Sequence, residues 1–193
     1  MSNDKHLEDE FSKDLYDPTE EQQNSTFIQV GRFFQTWATL ESVMNTVIAG
    51  ALNAKLDHWL IVTANLEVSK KIGIIRSFIA GSSLSDADKK TFDDWMNRIK
   101  ELSETRNIIA HCMFLSHPAN GGAIFYRVKA DKKLEQIEKQ ISKAEFEKMD
   151  RDMLSCTVNL GTLRDLLSTN RAGSRSYSFL DNTETPLALK TDQ

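Results

Sequence analysis

The chain has few of the residues from which most catalytic and metal-binding motifs are built. It has two cysteines in 193 residues, Cys112 and Cys156, and both sit inside apolar patterns. That excludes a disulfide framework and reads as two buried free thiols in a reducing compartment. No apolar run approaches the roughly 20 residues that a membrane-spanning helix needs. The opening "MSNDKHLEDEF" is acidic and lacks an apolar stretch, unlike a secretory signal. A cytoplasmic location without a membrane partner is therefore expected. Glycine is scarce, eight residues in all, and none stands in a phosphate-binding loop or a nucleophile elbow; there is no zinc-protease motif either. His111 and His117 have no cluster of further ligands nearby, so no metal and no cofactor is expected.

A basic stripe is also missing. The net charge is −4, but it is unevenly spread. Residues 1–25 hold eight acids against Lys5 and Lys13, and residues 169–193 balance three acids with three bases, which leaves +2 on residues 26–168. That balance tolerates local phosphate contacts without driving non-specific duplex binding.

What the chain does have is helical period. Residues 1–25, polar and acidic, are expected to form a mobile N-terminal arm, and residues 169–193, without pattern, a flexible tail. Between them, residues 26–168 read as one domain. Val30, Phe33, Trp37, Leu40, Met44, Val47 and Ala51 recur at three- and four-residue spacing, which predicts a helix from about Thr26 to Leu52. Residues 57–80 read as two shorter helices closing at Gly81. A third pattern begins after Ser85, a candidate N-cap, and carries Phe92, Trp95, Met96, Ile99, Leu102 and Ile109. "CMFLSHPANGGAIFYRVKA" then reads as a short β-hairpin, and a last helix covers about Ser142 to Ser168. The predicted fold class is all-α, a bundle of four to five helices with one hairpin after the third pattern. The lysine pairs at 70–71, 89–90 and 132–133 read as solvated surface.

Two polar residues break the apolar stripes. Arg106 follows Leu102 by four and precedes Ile109 by three, so it lies on the buried face of its helix. Glu41, four after Trp37 and three before Met44, does the same on the first helix. A buried guanidinium and a buried carboxylate are each costly unless paired or functional. One reading pairs the two as a core staple. The other makes Arg106 a phosphate ligand and His111, at the helix end, an acid–base group, since histidine is the side chain that changes charge near neutral pH. Arg106 and His111 stand five apart and diverge by about 140° on an ideal helix. A shared site then needs the helix to end near His111, or a second copy of the chain.

Read together, "RNIIAH" (Arg106 to His111) resembles the R-x4-H signature of the HEPN superfamily, with Asn107 as the polar residue after the arginine. "FFQTWATLESVMNTV" resembles the first long helix of that family, including the inward glutamate at Glu41. The likeness spans roughly residues 26–168. It implies a helical bundle that forms a homodimer across the motif helix and, in many members, a metal-independent endoribonuclease. In that chemistry a ribose 2′-OH attacks the adjacent phosphate and leaves a 2′,3′-cyclic phosphate and a 5′-OH. The resemblance assigns Arg106 to the transition-state charge, His111 to the proton, Asn107 to orienting the phosphate or His111, and Glu41 to holding Arg106. It implies RNA as the partner, a toxin or defence role, and an antitoxin or regulatory protein as a further partner. Where related toxins carry a modifiable tyrosine two residues after the histidine, this chain has Met113, which argues against that form of control. The alternative is a non-catalytic HEPN-like module that binds a nucleotide or a protein.

Overall fold

A computed structural model describes the backbone of residues 18–54, 56–117, 121–131 and 133–172. Among these the chain forms five helices and a three-stranded antiparallel sheet. Residues 1–17 of the expected arm and 173–193 of the expected tail lie outside the described residues, while 169–172 of that tail continue the last helix.

Helix α1 spans Glu20–Leu52 and starts six residues before the expected Thr26. The reason is local. Thr19 closes a capping box with Gln22: the Thr19 hydroxyl accepts from the Gln22 N–H, and the Gln22 side chain accepts from the Thr19 N–H. Glu20 and Glu21 then fall in the first turn, where acids favour the helix dipole. The last six residues of the expected arm are therefore helical. At the other end Asn53 takes a left-handed conformation, φ 51°, and stops the helix.

Helix α2 (Leu56–Ala64) and helix α3 (Val68–Gly81) follow as the two expected pieces. Helix α4 (Asp86–His111) is capped by Ser85, whose hydroxyl accepts from the Asp88 N–H, and buries Phe92, Met96, Ile99, Leu102 and Ile109. Helix α5 (Lys143–Ala172) opens with a Ser142–Glu145 cap. The Ser142 N–H and hydroxyl hold the Glu145 carboxyl below the ordinary glutamate range.

Helices α1 and α5 run parallel. Phe33 meets Phe146 near one end, and Gly50 lies against Arg164 and Ser168 near the other. Fully buried Leu40, Met44 and Val47 from α1 and Met153, Leu160 and Leu163 from α5 belong to one core. Helices α3 and α4 close that core with Ile72, Ile75 and Ile79 and the α4 stripe.

The sheet sits at the end of the bundle where α4 stops and α5 starts. Strand β1 (Met113–Ser116) pairs with β2 (Ala123–Asp131), which is the expected hairpin. A third strand, β3 (Lys133–Ile141), extends it in the order β1-β2-β3. Phe114 and Phe125 pack with Phe27 of α1 and Phe146 of α5, at ring separations of 5.7 to 6.5 Å. The turn of the hairpin is tied to α1: Thr26 Oγ1 donates to the Gly122 carbonyl at 2.9 Å, and Gln29 Nε2 donates to the Gly121 carbonyl at 2.7 Å.

That attachment requires glycine. Gly121 has φ +63°, and a Cβ on Gly122 would overlap the Ile141 carbonyl oxygen of β3. Gly122→Ala must therefore push β3 away from the turn. It is expected to lower stability by about 1–3 kcal/mol, to be read from urea unfolding midpoints at unchanged slope.

Candidate functional site

The site is built from the bottom of α4. The Leu102–Ile109 stripe drives the last turns of this helix into the core, and Arg106 lies between those two buried residues. Arg106 itself is half-buried, because the core thins where the helix ends. Its Nη1 donates to Asn107 Oδ1 at 3.2 Å, and its Nε is buried without a hydrogen-bond partner among the described residues. Asn107 is exposed and holds the guanidinium from outside. His111, the last residue of the helix, is exposed and makes no side-chain hydrogen bond or ion pair among the described residues. The Cys112 N–H bonds back to the Ile108 carbonyl at 3.0 Å, and the next residue, Met113, already belongs to β1.

Glu41 is where sequence and structure part. Its Oε1 binds Lys71 Nζ of α3 at 2.6 Å, and it makes no ion pair with Arg106. The expectation that Glu41 holds Arg106, or staples it to α1, is corrected by this contact. Lys71 is the cause: it is 2% exposed, so its ammonium must have a carboxylate within reach. Lys71 was also misplaced by sequence, which put the 70–71 pair on a solvated surface. Its spacing held the signal, for Lys71 is four before Ile75 and eight before Ile79, on the buried stripe of α3.

The remaining candidates separate by environment. His117 Nε2 lies 3.1 Å from Gln140 Oε1 on β3, and no group of three metal-ligating side chains exists among the described residues. Cys156 is buried as expected, and desolvation pushes its thiol up to about 11, which makes it a weak nucleophile. Cys112 is half-buried rather than buried. No helix among the described residues is long and apolar enough to cross a membrane.

An open groove of about 380 Å³ lies between the first turns of α1 and α5, lined by Asn24, Gln29, Arg32, Lys143, Phe146 and Asp150 among others. None of its lining residues comes from α4, so it is separate from Arg106 and His111. Burial raises the Asp150 carboxyl above its ordinary range, and the nearby Thr36 hydroxyl and Arg32 charge only partly offset this. Its Oδ1 is buried without a hydrogen-bond partner among the described residues.

No family model matches the chain, and no curated protein and no solved structure matches it.

Two expected outcomes follow from these charges. Glu41→Gln strands the buried Lys71 ammonium and should cost about 3 kcal/mol. Lys71→Met leaves a carboxylate side chain that is 30% exposed and can hydrate, so it should cost less. Denaturant unfolding of both variants checks the order, and an equal loss would show that Lys71 is not the dependent partner. Asp150 has a raised folded-state affinity for its proton, so its charge opposes folding at neutral pH; the opposition fades as pH falls through the raised folded-state value and is gone below the ordinary aspartate value of about 3.9. Asp150→Asn should then raise the melting temperature at pH 7 and lose that gain in acid, as thermal melts across pH would show.

Proposed function

We propose that the chain is a metal-independent endoribonuclease of HEPN type that cleaves RNA by attack of a ribose 2′-OH on its adjacent phosphate. The oxygen–phosphorus bond to the next nucleotide breaks, and the products are a 2′,3′-cyclic phosphate and a 5′-OH. Arg106 stabilises charge gathering on the phosphorane-like transition state. His111 moves a proton at the attacking or leaving oxygen. Asn107 positions the Arg106 guanidinium through the 3.2 Å hydrogen bond. Glu41 has no part in this scheme, being engaged by Lys71.

One observation carries the reading. Arg106 stands on a core stripe yet has no carboxylate partner among the described residues, because Glu41 is already taken. A guanidinium used as a structural staple would be paired; one without a carboxylate near the end of its helix is suited to bind a phosphate. The scheme needs two copies of the motif helix facing one another, since within one chain Arg106 and His111 point apart. A toxin or defence role, with an antitoxin or regulatory protein as partner, belongs to the same proposal.

That divergence is also the observation that favours the second reading, a HEPN-like module that binds a nucleotide or protein through Arg106 and catalyses nothing. Mapping of new RNA ends in a bacterial host separates them. The wild type should generate 5′-OH and cyclic-phosphate ends, and His111→Ala should reduce them by about 10²–10⁴-fold while staying folded. Arg106→Ala should also fold and lose activity. Identical RNA ends in wild type and His111→Ala would sink the nuclease and leave the binding module.

A further inference from the structure

The sheet leaves one long edge open. β3 is the terminal strand, nine residues from Lys133 to Ile141, and no strand among the described residues pairs with its outer side. Such an edge is a ready template for a second strand, and natural edges are protected by charges placed to repel a copy of themselves. The charges of β3 have the opposite property.

Consider β3 beside its own copy about a two-fold axis. Opposed residues of an antiparallel pair either both direct their N–H and C=O groups across the gap or both direct them away, and that direction alternates along a strand. The axis must therefore pass through a residue rather than between two. Five such registers overlap five residues or more, with the axis at Glu135, Gln136, Ile137, Glu138 or Lys139. Four of them set like charges in opposition. An axis at Glu135, Glu138 or Lys139 faces that residue with itself, and an axis at Gln136 faces Lys133 with Lys139. Only the axis at Ile137 sets opposite charges together: Glu135 faces Lys139, twice by symmetry, and all nine residues pair. The other opposed positions are Ile137 with itself, Leu134 with Gln140, Gln136 with Glu138 and Lys133 with Ile141.

We propose that β3 is an interface with a second copy of this chain, joined antiparallel about an axis at Ile137 into a continuous six-stranded sheet. Among the described residues Lys139 Nζ makes only a long 3.5 Å hydrogen bond, to Thr105 Oγ1, and Glu145, the carboxylate on which its charge acts, is held by Ser142. The interface is isologous and self-limiting, and it lies on the sheet rather than on the motif helix. It does not depend on the nuclease reading.

Charge reversal tests it, with molecular mass from light scattering or sedimentation as the readout. Glu135→Lys alone and Lys139→Glu alone each create two like-charge pairs and should weaken self-association on the order of tenfold. Mixing the two single variants should restore it, because each supplies the sign that the other lacks. Ile137→Cys keeps every charge and should form a reducible dimer on mild oxidation faster than Gln136→Cys. Circular dichroism establishes that each variant is folded. The proposal is overturned if the wild type is monomeric at high micromolar concentration, if either single reversal associates like the wild type, or if the mixture gains nothing over its components. Association through the motif helix alone would give the second of these results.

Discussion

The structure depends on a requirement set by helix α1. Its 33 residues extend about 50 Å and carry one apolar stripe almost from end to end. Each large side chain on that stripe is worth about 1.5–3 kcal/mol when buried, so the stripe must be covered along its whole length. A helix of similar length is the economical cover, and α5 supplies it, running parallel to α1. α3 and α4 fill the side that α5 leaves open, and the sheet shields the aromatic end, where Phe27 and Phe33 meet Phe114 and Phe146. The close approach of α5 at Gly50 is tolerated because no side chain stands between them there.

The candidate site follows from where that cover runs out. α4 continues into β1 with a break of one residue, so its last turn borders both the core and the sheet. Arg106 keeps core neighbours on either side while its donors reach the rim. Two buried-stripe cations thus have different fates: Lys71, almost fully buried at the start of α3, has taken the available carboxylate, and Arg106, only half-buried, holds only the Asn107 amide. The two are set apart by depth, a property that one-dimensional spacing does not carry.

That distinction also marks how far the sequence could be read. Period alone located all five helices, the cap at Ser85 and the hairpin, because each rests on local pattern. Arg106, Asn107 and His111 were legible as an interruption of the α4 stripe. The partner of Glu41 was not, since charges on stripes say who is buried and not who is adjacent. The third strand was not read either. Leu134, Ile137 and Ile141 are spaced three and four apart, a helical interval, and only pairing with β2 makes this segment a strand. The start of α1 was missed for the reverse reason: eight acids in 25 residues suggest disorder, while Thr19 and Gln22 settle the helix start by two hydrogen bonds.

The α1–α5 seam has a consequence in time as well as in space. Its two halves are separated by about ninety residues of chain, so during synthesis α1 emerges long before the helix that covers it. Until residues near Leu167 have been made, Phe33, Leu40 and Met44 can find only provisional partners, and the nascent chain must be kept from pairing with other apolar surfaces. A chain arrested in the sheet would present that stripe to whatever is nearby. Completion of α5 supplies the last long cover for that stripe.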